Sequence, residues 1–304
     1  MGLLILILIA ILLLWLLGAA GLVHALGHPR RKTFAVALGK GDPTDPADLG
    51  LEAQEVAFTL SDRSRTSGWV IQGCNAQGPT VVIVHGFGDS RYGSLKRAPL
   101  VGPWAKRVVV FDLPGQGESE SKRAYGGLRE PDDVLAVLGQ LEKQDAERIV
   151  LLGSSMGAGI AIAAAAKAEA EIRDAIVGVI AEGPYRLWDE PLHNLFRKHR
   201  YPRWPIIPLA GLWLWLTAKG FRDFDRAGHA AKLTCPLLVL HGSEDPLCPI
   251  TSARQIAEAA PVGEFIEIQG GSHEDLPSEH EQAYRDAVGD FLKMLCDRGG
   301  SGTM

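Results

Sequence analysis

Apolar positions follow two patterns along this chain. Residues 3–23, beginning LLILILIAILLLWLL, carry no charge and leave no polar face. A helix of that length rises about 30 Å, the thickness of a bilayer's hydrocarbon layer, and satisfies its own backbone groups there. Beyond residue 50 the pattern changes to short β-branched runs alternating with longer segments of helical period. The runs are residues 80–85 (TVVIVH), 107–112 (RVVVFD), 148–153 (RIVLLG), 176–182 (IVGVIAE), 236–241 (PLLVLH) and 264–269 (EFIEIQ). Nearly continuous apolar runs that end in Gly, Asp or His mark strands covered on both faces. Helices are expected between them at 131–144, 156–170, 251–260 and 278–296. Repeated strand–helix units predict a mostly parallel sheet flanked by helices. Residues 56–60 and 69–72 come first, with no helix between them, and predict an antiparallel edge.

The first apolar run reads as a transmembrane anchor over residues 1–27. A cleaved signal peptide is the competing reading. Ala25 and Gly27 offer small residues for cleavage, but only Met1 and Gly2 precede the run, with no basic n-region. Arg30, Arg31 and Lys32 follow it, and the positive-inside rule then places the remainder in the cytoplasm behind a single pass. Residues 28–50 read as a basic flank and linker, because GDPTDPADLG is rich in proline, glycine and acids. An α/β domain is expected at 51–297, with a cap excursion at about 184–232 and a flexible tail at 298–304.

Composition narrows the partners. A net charge of −5 over 304 residues removes the basic footprint that a nucleic-acid partner requires. Cys74, Cys235, Cys248 and Cys296 stand far apart, against a zinc ribbon or a disulfide scaffold, and no metal or organic cofactor is implied.

Ligands of such sheets collect beyond the carboxyl ends of the strands, so chemistry is sought where the apolar runs stop. Gly153-Ser154-Ser155-Met156-Gly157 follows one run and opens the small-residue segment AGIAIAAAA. A G-x-S-x-G sequence between strand and helix holds its central serine, here Ser155, on a sharp turn with its oxygen exposed. An ordinary glycine-rich turn with a serine cap is the bland alternative. A serine hydroxyl needs a base, and His273 in GGSHED follows the last run. The imidazole needs a carboxylate to fix its tautomer. Asp245 in HGSEDPLCP is the first choice, with Glu244 and Glu182 as fallbacks. An oxyanion requires two backbone N–H groups; Met156 follows the serine, and Phe87 lies in HGFG after the run TVVIVH.

The ordered set HGFGDS, DLPGQGES, GSSMG, HGSEDPLCP and GGSHE resembles the α/β-hydrolase superfamily from about residue 52 to residue 295. The resemblance implies an α/β-hydrolase fold with a short helical cap behind one N-terminal transmembrane helix. It also implies a serine hydrolase of the membrane-anchored lipase, esterase or S33-peptidase type. Dehalogenases and epoxide hydrolases of that fold carry an aspartate where this chain has Ser155. The leading expectation is hydrolysis of carboxylic esters, lipid or acylglycerol esters among them. An S33-like aminopeptidase and a non-catalytic binding module are the alternatives. In the cap, residues 201–216 (YPRWPIIPLAGLWLWL) read either as a helix packed on the sheet or as a lid touching lipid, with Arg197, Lys198, Arg200 and Arg203 near headgroups.

Overall fold

The computed structural model describes residues 2–142, 148–218, 220–273 and 276–300. Its strands are β1 (Ala53–Thr59), β2 (Arg65–Gln72), β3 (Thr80–Val84), β4 (Arg107–Phe111), β5 (Ile149–Ser154), β6 (Ile176–Glu182), β7 (Leu237–Gly242) and β8 (Gly263–Ile268). The principal helices are α1 (Gly2–Gly27), α2 (Phe34–Gly39), α3 (Glu130–Glu142), α4 (Met156–Lys167) and α5 (Glu190–Lys198). They continue with α6 (Ile206–Thr217), α7 (Arg226–Ala230), α8 (Ile250–Ala259) and α9 (Glu281–Gly300).

One sheet takes the order β1-β2-β4-β3-β5-β6-β7-β8. β1, β2 and β4 pair antiparallel, and the remaining pairs are parallel. The two-residue period of a strand sorts the β-branched runs between two cores. Val82, Val84, Leu151, Val179 and Val239 face α3, α4 and α8. Val81, Ile83, Val150, Ile180 and Leu238 face α9 on the other side. Each such side chain contributes roughly 1.5–3 kcal/mol when fully buried, so a charge at Leu151 would break the sheet at its centre.

α4 lies unusually close to the strands because its first turn is glycine and alanine. A Cβ at Gly157 would sit 2.1 Å from the Val84 carbonyl oxygen, and one at Gly153 would sit 2.2 Å from that of Gly157. Both positions must be glycine for the strand to turn directly into the helix.

Two expectations about the periphery need correction. Residues 28–50 are packed, not a free linker. Arg31 donates to the carbonyls of Ser119 (2.8 Å) and Ser121, and Ala37 of α2 is fully buried in the core beside α9. Lys32 pairs with Asp42 at 2.8 Å and Asp89 at 3.1 Å, while Lys96 pairs with Asp42 at 3.1 Å. The terminal helix is also longer than its pattern: a turn at Leu276–Glu279 precedes α9, which runs through residues 298–300 of the expected tail. Residues 301–304 of that tail, and the last two positions of the helix expected at 131–144, lie outside the described residues.

The cap holds α5, α6 and α7. α6 is covered on one side only. Ile207 and Ala210 are buried, whereas Leu212, Trp213, Trp215 and Leu216 are largely exposed. Its neighbour is α1, whose Gly18 lies so close to Ile206 that a Cβ there would meet the Ile206 side chain at 3.1 Å. Small residues let two apolar helices approach in this way.

Candidate active site

The sheet order puts β5 between β3 and β6, and the loops after β3, β5, β7 and β8 converge at its carboxyl edge. Ser155 stands at the turn from β5 into α4 with φ 52° and ψ −116°. For a residue with a Cβ this left-handed conformation costs on the order of 1–3 kcal/mol. The Ser155 N–H holds the turn by donating to the Glu182 carbonyl at 2.7 Å.

Ser155, His273 and Asp245 form a hydrogen-bonded row. Ser155 Oγ is 2.9 Å from His273 Nε2, and His273 Nδ1 is 2.6 Å from Asp245 Oδ2. A carboxylate only accepts, so Nδ1–H donates to Asp245 and the Nε2 lone pair faces the serine hydroxyl. The other carboxylate oxygen accepts from the N–H groups of Leu247 and Cys248, each at 2.8 Å. Burial alone would push the Asp245 carboxyl up. The bond to and charge of His273, with these two N–H groups, outweigh it and hold Asp245 below its ordinary value.

The fallback carboxylates are elsewhere. Glu182 is buried on Arg97, which it meets at 2.6–3.0 Å through two nitrogens, and on the Tyr284 hydroxyl. Glu244 is exposed. His85 and His241 serve the backbone: His85 Nε2 accepts from Leu113 N–H at 2.9 Å, and His241 Nε2 lies 3.1 Å from the Cys248 carbonyl.

The backbone N–H groups of Phe87 and Met156 find no acceptor among the described residues. Both residues line the cavity that contains Ser155 and His273. The loop bearing Phe87 is close to the serine, since a Cβ on Gly86 would lie 3.4 Å from Ser155 Cβ.

A metal would find one cluster of ligand types among the described residues. Asp245, Cys248 and His273 bring their ligand atoms within 4.8 Å of one another. The carboxylate and imidazole are already bonded to each other, and burial holds the Cys248 thiol well above its usual range, where it offers no thiolate. The set fits a proton relay better than a metal.

The cavity encloses about 780 Å³. Trp188, Leu192, Leu214 and Phe221 make one side apolar, and Lys32, Asp42, Asp89 and Lys96 make the other polar. Its wall also contains Val23, Leu26 and Gly27 of α1. That contribution is invisible in a hydropathy pattern, where these residues differ little from the rest of the run. The small residues Gly18, Ala19 and Gly27 at helical spacing are the one signal that this face packs against protein.

The alpha/beta hydrolase family pattern matches residues 81–287, more than half of the chain, and the protein belongs to that family. The uncharacterized protein YqkD of Bacillus subtilis (strain 168) is 29% identical over 225 residues, 72% of each chain. Lysophosphatidylserine lipase ABHD12 of Xenopus tropicalis is 23% identical over 254 residues, spanning 80% of this chain and 64% of that protein. Among solved structures, the Pyrococcus furiosus esterase Pf2001 superimposes with a TM-score of 0.67 at 23% identity, covering 82% of this chain and 95% of the esterase. That likeness is one of fold.

Proposed function

We propose that the protein is a serine hydrolase of carboxylic esters, held at a membrane by α1. The observation that carries this reading is the bonded row from Ser155 through His273 to Asp245, ending in an apolar-sided cavity. The Ser155 hydroxyl gives its proton to His273 Nε2 as Oγ bonds to the ester carbonyl carbon. The carbonyl oxygen takes up the electron pair as an oxyanion and accepts from the free N–H groups of Phe87 and Met156, a type of contact worth about 10²–10³ in kcat per donor. Asp245 stabilises the imidazolium. Collapse breaks the carbon–oxygen bond to the alcohol, which leaves with the proton from Nε2. Water then repeats the sequence on the acyl-enzyme, releasing the acid and restoring Ser155.

The apolar side of the cavity supports long-chain esters. An aminopeptidase would need unengaged carboxylates to capture a substrate amine, and the cavity's Asp42 and Asp89 are already paired with lysines. α1 supports membrane attachment: it is 26 residues long, an 18-residue stretch of it has a mean hydropathy of 3.1, and its side chains stay largely exposed. The basic residues after it favour a cytoplasmic hydrolase domain.

A fluorophosphonate probe tests the reading. It should label the wild type and the Ser154→Ala variant, and labelling and ester turnover should vanish with Ser155→Ala. Labelling that survives Ser155→Ala would remove the proposed nucleophile.

A further inference from the structure

The membrane helix does more in this fold than precede the domain. The side chains of α1 that the protein covers, wholly or in part, include Gly18, Ala19, Leu22, Val23, Leu26 and Gly27, a stripe at three- and four-residue spacing. Earlier residues such as Leu6, Leu8 and Leu12 are mostly exposed. The covered stripe meets α6 at its middle and the active site at its end. The Gly27 carbonyl accepts from Ala124 N–H at 2.9 Å, and the Arg30 carbonyl oxygen lies 3.6 Å from where a Gly88 Cβ would be, in the loop that carries Phe87. α6 is two-sided in the same sense: Leu214, with Ala218 just past the helix end, lines the cavity, while Leu212, Trp213, Trp215 and Leu216 face outward.

Depth along α1 gives this arrangement its meaning. If the hydrocarbon layer begins near Leu3, about 20 residues at 1.5 Å each bring its far boundary to about Leu22. Val23, Leu26 and Gly27 then sit at the level of the polar headgroups, where the ester linkages of lipids also lie. The outward tryptophans of α6 suit that same level, having an apolar ring and a polar edge.

We propose that the end of α1 and the inward face of α6 form one wall of the acyl pocket. The substrate is then a membrane lipid ester whose acyl chain enters sideways from the bilayer rather than from water. This rests on the serine-hydrolase reading for its chemistry. A chain taken in this way never crosses water, and its ester meets Ser155 without leaving the depth it occupies in the bilayer. α1 is a specificity element, and replacing its covered residues changes which chain lengths are accepted.

The test uses the full chain in phosphatidylcholine nanodiscs and two fluorophosphonates, one with an ethyl and one with a dodecyl chain. The readout is the ratio of their labelling rates. Leu26→Trp should lower the dodecyl-to-ethyl ratio by about tenfold, the effect of excluding two methylenes from an apolar pocket. Leu8→Trp, on the exposed stretch, should leave the ratio as in wild type. A ratio within twofold of wild type for Leu26→Trp overturns the proposal. Should that variant fail to fold, Leu26→Cys in a background with Cys74→Ser and Cys296→Ser, which leaves only the buried Cys235 and Cys248, can be filled after folding with a benzyl methanethiosulfonate. The ratio should fall on modification and recover on reduction, and an unmoved ratio overturns the wall. If the wild type reacts with neither probe, the serine reading has failed, and a fluorescent twelve-carbon fatty acid still tests the wall. Its Kd should rise about tenfold with Leu26→Trp; an unchanged Kd overturns the proposal on its own.

Discussion

Asp245→Asn separates the orienting role of the carboxylate from its bulk. Two N–H groups at 2.8 Å fix one oxygen of Asp245 as an acceptor, so the amide carbonyl of asparagine must take that place. The NH₂ group then falls where Oδ2 stood, 2.6 Å from His273 Nδ1, and donates to it. The ring proton is forced to Nε2, 2.9 Å from Ser155 Oγ, where a lone pair is needed. The imidazole can no longer accept the serine proton, and loss of tautomer control of this kind lowers kcat by about 10⁴. The assay is ester turnover on protein whose unfolding midpoint stays within a few degrees of wild type. A loss smaller than about tenfold on such protein refutes the assignment of Asp245. The depressed Asp245 carboxyl adds a condition on pH. It stays ionised down to below its ordinary 3.8, so acid loss of activity between pH 4 and 7 does not come from its protonation.

Glu182→Gln should act on stability instead of chemistry. It leaves Arg97 buried without its counter-charge at a cost of about 3–5 kcal/mol, read as a thermal midpoint lower by on the order of 10 °C, with kcat of the folded fraction within about threefold. Equal midpoints, or a kcat loss like that of Asp245→Asn, would contradict the placement of Glu182 on Arg97. Burial first, and then the charges of Arg226, Lys167 and Lys232, lower His229 of the cap from 6.5 to about 4. A depressed histidine favours the neutral form in the fold, so its contribution is complete above pH 6.5 and is lost as pH falls toward 4, by up to about 3 kcal/mol. Denaturant titrations at pH 7 and pH 4.5 should show a smaller acid loss in His229→Gln than in wild type; the same loss in both would sink this account.

Much of the site could be read from local sequence because its parts are each local. The serine turn needs Gly153 and Gly157 within five residues, and His273 and Asp245 each follow a strand that its own apolar run announces. The strand pattern gave the antiparallel edge and the parallel remainder, since alternate burial is imposed on every strand by the same geometry. What escaped was pairing across distance. Residues 28–50 look like a linker because proline, glycine and aspartate usually punctuate, yet Asp42 gathers Lys32 and Lys96, and Asp45 caps the short turn Pro46–Leu49. Nothing near Asp42 in sequence foretells Lys96. The contact of α1 with α6 escaped for the same reason. Both are apolar all round by composition, and only the partner decides which face is covered.

The row of hydrogen bonds also fixes a timetable. Ser155 and His273 are separated by 118 positions. A ribosome adding about 5–20 residues per second needs roughly 6–24 s to bridge that gap. Throughout it the nascent chain carries Ser155 with no imidazole beside it, a hydroxyl too weakly nucleophilic to attack an ester. The proposed serine hydrolase is thereby inert until β8 has joined β7 and delivered His273. On the proposed reading, the order of translation itself sets the earliest moment at which the serine can react.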